Sequence, residues 1–188
     1  CNRESSKEDS SAEGEAEQTG VEFPCELEDG KLLVSSLFQY TGTNPDCNEE
    51  YGEDIASLEV TNQSEEYLAN AEFVAELEDG TKLVFMMEDV PAGQTVWAYA
   101  EDNSSYDLSV GCKSIACEAE FEDTSSLLED QVTIEVQGTE VTLINISKEE
   151  LTDLNVYCHC LFEEAYFGGL TYTYPVETIP VGESVTLQ

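Results

Sequence analysis

Three short stretches carry residue types that could do chemistry. Cys158-His159-Cys160 offers two thiols and the chain's sole imidazole within three positions. A tetrahedral zinc site needs four converging ligands, and neighbouring side chains on a strand alternate faces, so His159 is directed away from both thiols. With no second histidine and no Cys-x-x-Cys pair, the expectation is two core-facing or disulfide-bonded cysteines flanking a solvated His159. The stretch NPDCNEEYGED, residues 44–54, sets Asp46, Asn48 and Glu50 at the alternate spacing of a calcium loop. Gly52 falls one place late for an EF-hand turn, and Ser57 stands where a bidentate Glu is required. A calcium loop of another kind is the alternative to a solvated acidic turn, and no metal is assigned. YFGGLTYTYP, residues 166–175, puts Tyr172 and Tyr174 on one strand face. Such a pair can stack on a sugar, anchor a protein partner or pack across strands.

For catalysis the chain offers no Gly-x-Ser-x-Gly elbow, phosphate loop or dinucleotide fingerprint. A pair of carboxylates means nothing where 42 residues are acidic. The expectation is a non-catalytic protein without a cofactor. Against those acids stand only 6 basic residues, for a formal net charge of −36 over 188 residues. Such a field repels nucleic acid and anionic headgroups, and it favours cations, basic proteins or plain solubility. Hydrophobic residues still make up 40% of the chain, enough to form a packed core. No stretch reaches the ~20 apolar residues of a membrane-spanning helix.

Seven cysteines are present. Cys1 stands apart, and the even set Cys25, Cys47, Cys112, Cys117, Cys158 and Cys160 suits an oxidising exterior. One arrangement joins Cys158 and Cys160 to Cys112 and Cys117, with Cys25 bonded to Cys47; sequence leaves the pairing open.

The elements that must position these residues read as strands. Residues 1–20 are rich in Ser, Glu, Gly and Ala and contain no Val, Ile, Leu or aromatic residue, which predicts a disordered, self-repelling tether. Beyond Gly20, period-two runs alternate with turns. Leu58 and Val60 alternate in SLEVTN, and Ala71, Phe73, Ala75 and Leu77 share one face of NAEFVAEL. ELEDG occurs twice, at 26–30 and 76–80. Asp-Gly is turn chemistry, so both copies are read as bends, the first linking the tether to KLLVSSLF. A longer repeat aligns LEVTNQSEEYLANAEFVAEL with VTLINISKEELTDLNVYCHC, and VPAGQTV with IPVGESV. The wider spacing in the second copy predicts a longer central hairpin there. The second copy stops just after SVTLQ without a counterpart of YDLSVGCKSIACEAEFED, so either its sheet is smaller or residues are missing, and an unclosed edge would invite strand addition.

Two resemblances follow. A numbering that begins at Cys1 and continues through a polar Ser/Glu tether resembles a mature bacterial lipoprotein. This implies a diacylglyceryl thioether on Cys1 and an extracytoplasmic, membrane-anchored location. The Asn-x-Ser bends, the strand AEFVAELEDG and the Pro-x-Gly-x-[Thr/Ser]-Val motifs resemble FxLYD-type and related immunoglobulin-like domains of bacterial surface lipoproteins. The expected architecture is all-β: tether 1–20, an immunoglobulin-like sandwich over 21–124, and a second, shorter one over 125–188. The expected role is adhesion or assembly through a protein or carbohydrate ligand, with calcium binding by the acidic loop 44–54 as the alternative.

Overall fold

The computed structural model of the chain describes residues 20–124 and 127–188. Cys1 and nearly all of the predicted tether lie outside them. The described residues form fourteen strands and no α-helix. The first seven are β1 (Cys25–Leu27), β2 (Leu32–Asn44), β3 (Glu50–Asn62), β4 (Tyr67–Leu77), β5 (Lys82–Val90), β6 (Thr95–Tyr99) and β7 (Cys112–Glu122). The other seven are β8 (Val132–Gln137), β9 (Glu140–Asn145), β10 (Leu151–Cys158), β11 (Leu161–Phe162), β12 (Ala165–Phe167), β13 (Tyr172–Ile179) and β14 (Ser184–Leu187).

A larger sandwich packs the sheet β1-β2-β3-β6 against β5-β4-β7 around one apolar core. Alternation along β4 explains the layering: Ala71, Phe73, Ala75 and Leu77 are all buried, with polar or half-exposed residues between them. The second ELEDG is the β4–β5 turn. Gly80 sits at φ +87°, its N–H donates to Leu77 O at 2.9 Å, and the Thr81 N–H donates to Asp79 Oδ1 at 2.9 Å. The first ELEDG differs from expectation. It closes a hairpin between β1 and β2, pairing Cys25 with Val34, because Glu28, Asp29 and Gly30 all take positive φ and reverse the chain.

A smaller sandwich packs β14-β9-β8 against β10-β13 around Leu143, Val176 and Ile179. Its bends copy those of the first. The buried Asn62 side chain donates through Nδ2 to Glu66 O at 2.9 Å and Val90 O at 3.0 Å. Asn145, also buried, donates to Glu149 O and Ile179 O, both at 2.8 Å. Each Oδ1 accepts the hydroxyl of the serine two residues on, at 2.7 Å in both copies. The repeat is thus an amide that cross-ties the end of one sheet to the first bend of the other.

The predicted longer hairpin is present, and it leaves its own sandwich. β11 and β12 form an arm that joins the first sandwich, where β12 pairs in parallel with β6 through Tyr166↔Val96 and Phe167↔Trp97. The first sheet therefore has six strands, in the order β1-β2-β3-β6-β12-β11, and strands from both halves of the chain contribute to it.

Candidate functional site

The arm is held by its glycines. After β12, Gly168 takes φ +92° and donates its N–H to Trp97 O at 2.8 Å. Gly169 then slides between the two sheets, its carbonyl accepting the Glu88 N–H at 2.9 Å. A Cβ at Gly169 would overlap the Met86 carbonyl oxygen, so only glycine fits this slot.

Asp46 fastens the same loop from the other side. Its Oδ2 accepts the N–H of Gly169 at 2.8 Å and of Tyr99 at 3.2 Å, and its Oδ1 accepts the Leu170 N–H at 3.0 Å. Burial raises its carboxyl above the ordinary value near 3.8, although the three amides pull the other way. The stretch 44–54 is therefore a hairpin turn between β2 and β3. Asn48 and Glu49 both take positive φ and the Glu50 N–H donates to Cys47 O at 2.9 Å, while Glu50 itself begins β3. Asp46, Asn48 and Glu50 do not form a set of free ligands. Among the described residues no three His, Cys, Asp or Glu side chains gather as a metal site.

A third contact centres on Asp89, at the end of β5. Its carboxylate accepts the Tyr67 hydroxyl at 2.9 Å and the Thr171 hydroxyl at 2.8 Å. Its backbone carbonyl accepts the His159 Nε2–H at 3.0 Å. The His159 ring stacks on Tyr166 with centroids 4.0 Å apart and planes 11° from parallel. Nδ1 is buried without a partner. The solvated His159 expected from sequence is thus corrected. β10 ends at Cys158, alternation stops there, and the turn into the arm folds the imidazole inward. Burial lowers its pKa below 6.5, opposed by the Asp89 carbonyl and the charges of Asp89 and Glu88. A base depressed by folding contributes stability that is present above its unfolded value and lost as pH falls through the folded one. As pH falls below 6.5, the protection factors of the Phe167 and Gly168 amides are expected to drop in the wild type but not in His159→Phe. Equal responses of the two proteins to acid would exonerate the imidazole.

Beside this junction lies a cavity of about 480 Å³. Its walls are the edge of β10 from Asp153 to Tyr157, the faces of Ile134 and Leu143, the linker residues Leu127 and Leu128, and Tyr67 and Tyr166 at the junction. Among the described residues no strand covers β10 on this side, and it pairs with β13 alone.

The remaining candidates are dispersed. Tyr172 and Tyr174 are 42% and 39% exposed on β13, so their face is open, and Tyr172 borders a second cavity beside Pro45 and Asn48. The six thiols Cys25, Cys47, Cys112, Cys117, Cys158 and Cys160 are all unbonded in the structure. Cys158 is half-buried and Cys160 exposed, not core-facing like their counterparts Ala75 and Leu77, because the chain leaves the sheet after β10. Sequence reading missed Gly169, Asp89, Tyr67 and the junction itself. The Gly-Gly pair in YFGGL was the available signal, since two glycines beside an aromatic run mark a close approach of backbones. No protein-family model, curated protein or solved structure matches this chain.

Proposed function

We propose that this chain is a non-catalytic surface protein of two immunoglobulin-like β-sandwich repeats, 21–124 and 125–188, acting in adhesion or assembly. Cys1 carries a diacylglyceryl anchor, residues 1–20 form the tether, and the protein stands outside a bacterial membrane. The ligand is a protein or a carbohydrate. One observation carries this reading: among the described residues an open cavity beside β10 is walled by the apolar side chains of Leu128, Ile134 and Val156. A protein that only spaces two others needs no such opening. The exposed Tyr172 and Tyr174 add an aromatic surface on the neighbouring strand.

Two measurements test the proposal. Mass spectrometry of the native N-terminal peptide is expected to find the thioether lipid on Cys1, and an unmodified Cys1 in a membrane-free fraction would overturn the anchor. A photo-crosslinking residue in place of Tyr174 on intact cells, alongside a glycan array, is expected to reveal a protein or a sugar partner. Silence from both would end the binding reading. A calcium isotherm that Glu50→Ala abolishes would favour the cation-binding alternative.

A further inference from the structure

The two sheets of the first sandwich meet along one seam with no ladder across it. Among the described residues β1 pairs with β2 alone and β7 with β4 alone, so each strand ends its sheet. The segment that carries β1 lies along β7. Val21 donates its N–H to Cys112 O at 2.8 Å, and at the far end Lys31 Nζ stands 4.5 Å from the centre of the Phe121 ring. Between these points Phe23, Cys25 and Leu27 are half-buried and alternate with the exposed Glu22, Pro24 and Glu26, so Cys25 faces inward. Cys112, 6% exposed, belongs to the same apolar core against which Cys25 packs. The two thiols sense each other. Burial holds the Cys112 thiol above its ordinary value, and the charge of a Cys25 thiolate raises it further. The Cys112 sulfur also meets the carbonyl oxygens of Ser114 at 3.4 Å and Glu76 at 3.9 Å, weak bonds that cost little to give up.

We propose that Cys25 and Cys112 form a disulfide that fastens the edge of one sheet to the edge of the other. This replaces the Cys25–Cys47 bond expected from sequence. Cys25 stands opposite Val34, and Cys47 lies past the end of β2, which runs ten residues beyond Val34. At the rise of a β-strand that is roughly 30 Å, far outside the span of a disulfide. Cys117 sits farther along β7, opposite Phe73, where burial and then the charge of Glu28 push its thiol up to about 12. It stays protonated and is a poor nucleophile. The bond forms by exchange with an oxidant that is itself a disulfide, either a small one or that of an oxidoreductase. Cys25, the more accessible of the pair, attacks as a thiolate and displaces one donor thiol. Cys112 then attacks the Cys25 sulfur of the mixed disulfide and releases the second. Two protons and two electrons leave the chain, and the donor's disulfide is reduced to two thiols. Because burial raises both thiols, the exchange is slow in the folded protein, and so is its reversal. The bond closes a loop that contains β1 through β6. It also guards β1, whose ladder with β2 is three residues long and would peel first under a pull from the chain ahead of it.

The test uses the full purified chain, oxidised glutathione and no denaturant during oxidation. Thiols still free are then blocked with N-ethylmaleimide in urea, and the protein is digested with pepsin at low pH, where disulfides do not exchange. Mass spectrometry is expected to find the peptides of Cys25 and Cys112 joined and that of Cys117 blocked. Dithiothreitol is expected to lower the melting temperature of the first sandwich in the oxidised wild type by roughly 5–15 °C. Cys47→Ala should respond to the same extent. Cys25→Ser, at a half-buried edge position, should melt with the reduced wild type whether reductant is present or not. Cys25 joined to Cys47 or Cys117, or left free after oxidation, would overturn the proposal. So would a Cys25–Cys112 link that forms in denaturant alone, since it is the fold that brings the two sulfurs together. A link whose reduction leaves the melting temperature unchanged would overturn it as well.

Discussion

Gly169→Ala is expected to drive the arm out of the first sandwich. The added methyl would overlap the Met86 carbonyl oxygen and lie 2.9 Å from its carbon and 3.3 Å from Ala98 Cβ. Two of those atoms are backbone, so no rotamer change relieves the conflict. Overpacking a tight site costs about 1–3 kcal/mol and sometimes more, and here the alternative is loss of the arm's anchors. Expulsion would break the Glu88 N–H bond to Gly169 O and the Asp46 bonds to Gly169 and Leu170, and leave the buried Asp46 carboxylate with the Tyr99 amide alone. A loss of about 3 kcal/mol corresponds to a fall in melting temperature of roughly 6–12 °C for a chain of this size. Proteolysis between Cys160 and Thr171 is expected to accelerate at the same time. Gly80→Ala is the control. Nothing lies within 4 Å of its added carbon, so only the strain of φ +87° remains, at about 1–2 kcal/mol. Equal losses for the two variants would show that the slot is not as tight as the geometry requires.

The second large effect falls on the paired asparagines. Asn62→Ala removes the donors to Glu66 O and Val90 O; the Ser64 hydroxyl, 3.3 Å from Glu66 O, can replace only the first of them. Losing the donor to Val90 O costs about 1–3 kcal/mol and weakening the bond to Glu66 O about 1 kcal/mol more, so a loss of about 2–4 kcal/mol is expected. Asn62→Asp should recover little, because it keeps the acceptor for Ser64 but not the two donated bonds. Asn145→Ala strips the same bonds from the second copy. Among the described residues, the core cluster of that sandwich has just Leu143, Val176 and Ile179 as buried members, against more than twenty in the first. The expected result is therefore a separate, earlier transition: the second sandwich melts while the first persists. Calorimetry resolves the two. A single transition lowered equally by either variant would mean that the halves unfold as one unit, coupled through the arm.

Much of the strand layout was legible because it is written locally. Ala71, Phe73, Ala75 and Leu77 declare an inward face by alternation alone, and all four are buried. Asp79-Gly80 announces its turn through the positive φ that glycine tolerates. The two Asn-x-Ser bends announce a repeat because a buried amide that ties four groups has few substitutes. Local reading failed where a neighbour in sequence was not a neighbour in space. Cys158 and Cys160 were placed inward by extrapolating the alternation of Ala75 and Leu77, yet the strand ends at Cys158 and the imidazole between them goes inside. Asp46 looked like a cation ligand by spacing, yet its oxygens are taken by amides from two distant segments.

By itself, the amino-acid order determined the all-β character, the acidic surface, the turns and the doubled plan, because each rests on periods of two residues or on the dihedral preferences of one. Only the tertiary structure decided which distant segments meet. Gly169 meets Asp46 across 123 residues, and Ile134, Leu143 and Val156 line one cavity from three different strands. Contacts between residues so far apart in the chain are selected by how whole sheets pack, and no local pattern encodes that choice.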